Sequence, residues 1–145
     1  PAAAEKGFAA LERSWQPGDC AVLELEMPCR RVYADPRAYH LAHQTAVMRG
    51  PLLYCAEQAD NGELLSRILL PDSSVLEEHW EEDLLGGVYT VTAEARRAML
   101  QEGPLYRAGP PAWEKMQLKL VPYYTWANRE EGEMRVFFPE IRTGL

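Results

Sequence analysis

Apolar and polar residues alternate along much of the chain, and this period of two is typical of a β-strand with one face exposed to solvent. The alternation is regular over residues 20–27, where Leu23 and Leu25 would face one way while Glu24 and Glu26 face the other. A strand with one apolar and one polar face belongs to an antiparallel sheet that packs on a core. The pattern therefore predicts a half-buried antiparallel strand at 20–27.

Similar apolar runs, each bounded by turn residues, predict further strands. They lie at 9–15, 30–34, 45–50, 52–57, 67–70, 88–95, 116–126 and 134–139. The sequences QPGD at 16–19 and ADNG at 59–62 have the Pro, Gly and Asn residues of tight turns. Residues 93–102 have good helix propensity, which predicts the end of a strand followed by a single helical turn. The Pro/Gly-rich stretch 102–113 predicts a loop.

Many short strands without a long helix predict an all-β fold, an antiparallel β-sandwich or a jelly-roll-like arrangement. We expect one sandwich domain over residues 1–145, although residues 1–40 could belong to a neighbouring sandwich. A hydrophobic fraction of 47% supports a packed globule. The net charge of −7 makes nucleic acid and anionic membrane surfaces unfavourable partners.

Residues that could carry chemistry are few and badly spaced. Cys20, Cys29 and Cys55 form neither a disulfide framework nor a metal-binding spacing, which favours a cytoplasmic location. His40 and His43 would point to opposite faces of a strand, which is unsuitable for a shared metal. The acidic segment EEHWEED at 77–83 lacks the glycine of a calcium loop, so we interpret it as a solvated acidic loop anchored by a tryptophan. We predict neither a catalytic site nor a metal site.

Two carboxylates follow a predicted strand, at Glu57 and Asp60. A pair of carboxylates across a cleft could hydrolyse a glycosidic bond, and such an enzyme would place them in a pocket. The alternative that we prefer is structural: Glu57 would neutralise Arg49 across adjacent strands, because a half-buried arginine needs a partner.

Aromatic and polar residues are clustered near the end of the chain. Tyr123, Tyr124 and Trp126 precede Asn128 and Arg129. Aromatic rings stack on sugars, and amide or guanidinium groups bind hydroxyls, so Tyr124, Trp126, Asn128 and Arg129 are candidate sugar contacts. The alternative is that the aromatic residues belong to the core while Asn128 and Arg129 fix a turn.

Three ordered motifs cover most of the chain apart from residues 63–115. The first contains Arg13, Trp15, Gly18 and Asp19; the second Arg49, Gly50, Pro51, Tyr54, Cys55, Glu57, Asp60 and Asn61; the third Pro122, Tyr123, Trp126, Ala127, Asn128, Arg129 and Met134. In this order and spacing the chain resembles the C-terminal region of glycoside hydrolase family 127 proteins.

The resemblance implies a parent enzyme that removes β-L-arabinofuranose or related sugars. It implies an (α/α)6 barrel in which a zinc-bound cysteinate, one of an adjacent cysteine pair, is the nucleophile. This chain has no such pair, so we expect a non-catalytic accessory sandwich that packs on the barrel, with no cofactor of its own and the zinc in the catalytic domain. The alternative is a carbohydrate-binding module whose partner is an oligosaccharide, and a homo-oligomer is a further partner that the sequence allows.

Overall fold

A computed structural model describes residues 4–141, so the ends of the predicted domain, residues 1–3 and 142–145, lie outside it. The strands are β1 (Ala4–Glu5), β2 (Phe8–Ala9), β3 (Cys29–Tyr33), β4 (Gln44–Arg49), β5 (Leu52–Glu57), β6 (Ile68–Leu69), β7 (Glu77–Glu81), β8 (Val88–Ala98), β9 (Trp113–Pro122), β10 (Met134–Arg135) and β11 (Phe138–Pro139). One short α-helix, α1 (Gln58–Asn61), and 3-10 turns at Tyr39–Leu41, Leu65–Arg67 and Tyr123–Thr125 complete the described elements.

Nine of the strands within residues 4–141 form one curled antiparallel sheet in the order β11-β4-β5-β9-β8-β6. β3 pairs with β4, β7 with β8 and β10 with β5, while β1 and β2 form a separate two-residue ladder. The Leu70 amide donates to the Pro139 carbonyl at 2.9 Å, which brings the two ends of the sheet together. The predicted all-β, antiparallel, sandwich-like class is confirmed. No helix in the described range is long and apolar enough to span a membrane.

The β8–β9 hairpin is the largest paired unit, and its burial follows the alternation in the sequence. Val91, Ala93 and Ala95 are buried, while Glu94 and Arg96, on either side of Ala95, are exposed. The buried side chains pack with those of β4, β5, β6 and β9 into one apolar cluster. Its members are Val47, Tyr54, Ala56, Leu65, Ile68, Leu70, Val91, Ala93, Ala95, Leu118, Leu120 and Phe138. Each large apolar side chain buried here contributes about 1.5–3 kcal/mol.

β4 and β5 are joined by a two-residue turn at Gly50 and Pro51. Arg49 lies opposite Leu52, and Gly50 has a φ of 52°. The left-handed φ favours glycine at this position, and a Cβ there would also displace the flexible end of the Met27 side chain.

Four local predictions are wrong. The strand expected at 9–15 does not form beyond Ala9, the last residue of β2, because no neighbouring strand pairs with residues 10–15. The helical turn within 93–102 does not form, because β8 continues to Ala98 and pairs with Trp113, and cross-strand pairing outweighs helix propensity. The acidic segment 77–83 is largely a strand, β7, rather than a loop, although it is mostly solvent-exposed. The expected half-buried strand at 20–27 is neither paired nor half-buried: apart from a partly buried Met27, its side chains are exposed.

Candidate functional site

An ion-pair cluster joins the second and third sequence motifs. The Arg129 guanidinium binds Glu57 at the end of β5 and Asp60 in α1, with Nε to Glu57 Oε2 at 3.1 Å and Nη1 to Asp60 Oδ1 at 3.0 Å; Nη2 contacts both carboxylates. The Glu57 and Asp60 side chains are only 6% and 11% exposed. The hydrogen bonds that Arg129 donates to Asp60 and then to Glu57 raise the pKa of Arg129 above its ordinary value, so the guanidinium stays charged.

The same carboxylate shapes the loop that carries Arg129. Glu57 Oε1 accepts a hydrogen bond from the Ala127 amide at 2.9 Å, and Ala127 itself has a left-handed φ of 60°. The Asn128 amide donates to the Thr125 carbonyl at 3.0 Å, and the Thr125 hydroxyl donates to the Pro122 carbonyl at 2.6 Å. Glu57 therefore neutralises a charge and also holds an unusual backbone conformation in place.

Asn61 connects this cluster to β9. Its amide group donates to the Lys119 carbonyl at 2.8 Å, while its oxygen accepts from the Lys119 amide at 2.9 Å, so the side chain replaces a paired peptide group. The Lys119 ammonium then reaches Glu81 at 2.8 Å and Asp60 at 3.7 Å. The hydrogen bond from Lys119 lowers the pKa of Glu81.

Exposed aromatic side chains lie in two groups, one on the loop that carries Arg129 and one on β7 and β8. Tyr123 and Trp126 stack with ring centroids 6.2 Å apart, and Tyr124 beside them is 65% exposed. On β7 and β8, Trp80 and Tyr89 lie 5.1 Å apart, and both are exposed. We call these five residues the aromatic face.

Buried Tyr54 links the two parts of the aromatic face. Its phenol donates to the Tyr89 carbonyl at 2.8 Å. Burial raises the pKa of this phenol to about 12, and the neighbouring Tyr124 contributes to the same increase. The phenol therefore remains a neutral donor at neutral pH.

The expected pairing of Glu57 with Arg49 is wrong. Arg49 donates to Glu78 on β7 at 2.6 Å and lies over the Tyr89 ring, 4.0 Å from its centroid. The register explains the difference, because Arg49 lies at the turn end of the hairpin opposite Leu52, whereas Glu57 lies at the far end of β5 opposite Met134.

The residues of the first motif form an ion pair and a cation–π contact around a turn. Arg13 binds Asp19 at 2.9 Å and lies over the Trp15 ring, 5.1 Å from its centroid. The Asp19 amide donates to the Gln16 carbonyl at 3.0 Å, and the Asp19 carboxylate accepts from the Gln16 amide at 2.9 Å. These contacts fix the predicted QPGD turn.

The thiols of Cys29 and Cys55 do not have the environment of a nucleophile or a zinc ligand. Burial raises the pKa of Cys29 and of Cys55 to about 12, so both remain protonated at neutral pH. Across residues 4–141 no three His, Cys, Asp or Glu side chains are grouped so as to hold a metal ion. The described residues thus do not fit the zinc site that the family resemblance implies for the parent enzyme.

Glu57 borders a crevice of about 10 Å³, together with Trp126 and residues 130–133. A space of this size admits at most one water molecule. Wider grooves lie elsewhere, one beside Ser74 and Glu94 and one between Tyr33 and Tyr39, and their linings do not include Glu57, Asp60 or Arg129.

The four residues predicted to contact sugar lie on one loop but differ in availability. Tyr124 and Trp126 are exposed, whereas Arg129 is bound to two carboxylates and the Asn128 amide is bound to carbonyls. A sugar hydroxyl would have to compete with those internal partners.

Sequence reasoning missed the part that β7 and β9 play in this site. Trp80, Glu78 and Glu81 lie in the segment interpreted as a loop, because its almost wholly polar sequence gives no alternation from which a strand could be predicted. Lys119 alternates with buried Leu118 and Leu120, which places it on the outer face of the sheet.

The fold and this self-contained cluster define an all-β domain whose charged groups hold its own loops together. Residues 29–139 match the model of the glycoside hydrolase family 127 C-terminal domain, so the chain belongs to that family. It is 50% identical to the non-reducing end β-L-arabinofuranosidase of Bifidobacterium longum subsp. longum, in an alignment that covers 79% of this chain and 18% of that protein.

Solved structures give the same result. A family 127 β-L-arabinofuranosidase from Geobacillus stearothermophilus T6 matches with a TM-score of 0.77 and 41% identity, over 79% of this chain and 18% of that one. A family 127 β-arabinofuranosidase matches with a TM-score of 0.70 and 34% identity, over 79% and 17%. The chain therefore spans about a fifth of the length of these relatives.

Proposed function

We propose that this chain is the non-catalytic accessory domain of a β-L-arabinofuranosidase-type glycoside hydrolase, and that it packs on and supports an (α/α)6 catalytic barrel in the same polypeptide. The observation that carries the proposal is the ion-pair cluster of Glu57, Asp60 and Arg129. These three charged residues come from two family motifs and neutralise one another, and the crevice that Glu57 borders has a volume of only about 10 Å³. Such an arrangement stabilises a loop and leaves no free acid and base for hydrolysis.

The aromatic face supplies the surface for this role. Five exposed aromatic side chains on one rigid framework form the kind of patch that marks a contact between protein domains. The Arg129 cluster fixes the loop of Tyr123, Tyr124 and Trp126, so that little conformational entropy is lost when the loop is covered. We propose that the aromatic face contacts the barrel, and that the zinc and its cysteine ligands belong to that barrel.

Matched tyrosine variants test the docking. Tyr124→Ser changes a residue of the aromatic face, whereas Tyr106→Ser changes a residue of the 99–112 loop that is even more exposed. In the isolated chain neither change should alter the unfolding midpoint, because neither side chain is buried. In the parent polypeptide Tyr124→Ser should lower the Tm by at least about 2 °C while Tyr106→Ser leaves it unchanged. Equal Tm values for both parent variants, and for Trp126→Ser, would exclude the aromatic face as the docking surface.

Sugar binding is a second candidate, favoured by the stacked and exposed pair of Tyr123 and Trp126. A saturable change in tryptophan fluorescence on titration of the isolated chain with arabinofuranosides or plant-wall oligosaccharides would support it. The change should disappear in Trp126→Ala, with unchanged circular dichroism as the control for folding. If the fluorescence of the folded chain does not change at millimolar sugar, sugar binding at this pair is contradicted and the accessory role remains the proposal.

A further inference from the structure

The groove between Tyr33 and Tyr39 has the size and the composition of a ligand site. Its volume is about 600 Å³, within the range of about 300–1,000 Å³ that is typical of small-molecule sites. Two aromatic rings line it together with carboxylate, amide and imidazole side chains. These residues are Tyr33, Asp35, Tyr39, His43, Gln44 and Glu140, and we call the site the tyrosine groove.

Hydrogen bonds hold both walls of the tyrosine groove in place. One wall is the loop 34–43, in which the Ala38 amide donates to the Asp35 carbonyl at 2.8 Å. The other wall follows β11, where the Glu140 amide donates to the His43 carbonyl at 3.0 Å. The groove is therefore formed before a ligand enters, and binding would cost little conformational entropy of the chain.

The two tyrosines of the groove present their rings to solvent. Tyr33 is 52% exposed, and its hydroxyl donates to Glu140 at 2.8 Å, which fixes the direction of the ring. Tyr39 is 81% exposed and lies edge-on against the His40 ring, with 5.6 Å between the ring centroids. A tyrosine ring that is exposed and held in one orientation can stack on the apolar face of a sugar.

The carboxylates of the groove are already neutralised, which favours an uncharged ligand. Asp35 Oδ1 lies 2.8 Å from Arg37 Nε, and Glu140 Oε1 lies 3.9 Å from Arg31 Nε. A cation would gain little from carboxylates that arginines already neutralise. A carboxylate oxygen and a phenol oxygen can each accept further hydrogen bonds, so Asp35 and Tyr33 can still accept from hydroxyl groups of a ligand.

The tyrosine groove and the aromatic face lie at opposite ends of β4. Gln44 begins this strand and lines the groove, whereas Arg49 ends the strand and lies over the Tyr89 ring of the aromatic face. The six residues of β4 span about 17 Å. Docking of the aromatic face on a catalytic barrel would not by itself cover the groove.

We propose that the tyrosine groove binds an uncharged sugar and holds a glycan at a distance from the aromatic face. Tyr33 and Tyr39 stack on the apolar faces of the sugar rings, and Asp35 accepts a hydrogen bond from a hydroxyl group. The groove chemistry supplies the stacking and acceptor groups, and membership of a glycoside hydrolase family favours a sugar over other uncharged ligands. The inference depends neither on the docking of the aromatic face nor on sugar binding at Tyr123 and Trp126.

A titration of the ¹⁵N-labelled chain with neutral arabino-oligosaccharides, followed by NMR, tests the site. The amide signals of residues 34–44 and 140 should shift saturably, with a Kd in the millimolar range, while those of 124–129 remain unchanged. No tryptophan lines the groove, so this readout is separate from the fluorescence titration of Trp126. Shifts confined to 124–129, or no shift at tens of millimolar sugar, would overturn the proposal. Groove shifts with tetramethylammonium but not with sugar would also overturn it, in favour of a cation site.

Matched tyrosine variants separate the groove from other exposed tyrosines. Tyr39→Ala should weaken sugar binding by about fivefold or more, whereas Tyr106→Ala in the 99–112 loop should leave the Kd unchanged. Both variants should retain the urea midpoint of the original chain, because both side chains are exposed. Tyr33→Phe keeps the ring but removes the contact with Glu140 and one acceptor, so it should also weaken binding. Unchanged Kd values for Tyr39→Ala and Tyr33→Phe would contradict the inference.

Discussion

The Arg129 guanidinium allows two carboxylates, those of Glu57 and Asp60, to lie close together. Glu57 and Asp60 are nearly buried and point at one guanidinium, so its removal would leave two like charges together. We predict that Arg129→Ala lowers the free energy of unfolding by about 3–5 kcal/mol. Urea denaturation followed by circular dichroism measures the change.

The matched control is Arg37→Ala, which removes an arginine bound to exposed Asp35. This variant should retain the original midpoint, because an exposed ion pair is screened by water. If Arg129→Ala were as stable as the control, the cluster would not support the loop as we infer.

Glu78 should make the stability of the domain depend on pH, and the contacts of its carboxylate determine the sign of that dependence. The hydrogen bond from Arg49 lowers its pKa below the ordinary value of 4.5. A depressed pKa in the folded state provides stability above the unfolded pKa, and this stability is lost as the pH falls through the folded value. The urea midpoint should therefore decrease between about pH 5 and pH 3, and by a smaller amount in Glu78→Gln.

Glu94→Gln is the control for this pH dependence, because Glu94 and Lys115 form an exposed pair on the β8–β9 hairpin. It should retain the original decrease with pH. Identical slopes for Glu78→Gln and the original chain would show that the Arg49 contact does not contribute.

At the scale of elements, Asn61 acts as a peptide group that joins α1 to β9. It is buried, and its side chain both donates to and accepts from the Lys119 backbone. Asn61→Ala should lower the free energy of unfolding by about 1–3 kcal/mol, because a buried donor and acceptor lose their partners. Gln117→Ala, on the exposed face of the same strand, should have no measurable effect in the same urea titration. Equal stabilities for the two variants would contradict the role assigned to Asn61.

The elements that the sequence predicts well are those whose apolar residues meet the core within the domain. In β8 the burial follows the alternation of the sequence, whereas β4 and β5 are predicted by short apolar runs bounded by turn residues and have consecutive buried residues. The alternation over residues 20–27 is equally regular, but a strand also needs a neighbour to pair with, and periodicity carries no information about that neighbour. The prediction for the end of β8 is wrong for the opposite reason. The local propensity there favours a helix, but pairing with β9 stabilises a strand.

At the scale of the whole molecule, the candidate site exists only after the sheet has closed. Glu57 and Arg129 are 72 residues apart in the sequence. They meet because Glu57 ends β5, Arg129 follows β9, and these two strands pair with each other. The sequence motifs identify these residues, but the pairing depends on a register that no local pattern specifies. This is why the sequence indicated Arg49 as the partner of Glu57, whereas in the structure the partner is Arg129.

The domain should also be separable from its first segment. All pairing in the nine-stranded sheet lies within residues 29–139, and residues 6–26 are exposed except for a partly buried Asp19. A chain that begins at Pro28 should therefore unfold cooperatively with a urea midpoint close to that of the full chain. A chain that ends at Glu133 should fail to fold, because it lacks buried Phe138 and the pairing of β11 with β4. Loss of the β-sheet circular dichroism spectrum in the first truncation would mean that residues 1–27 are integral to this domain, whereas its retention would show that the remaining residues fold without them.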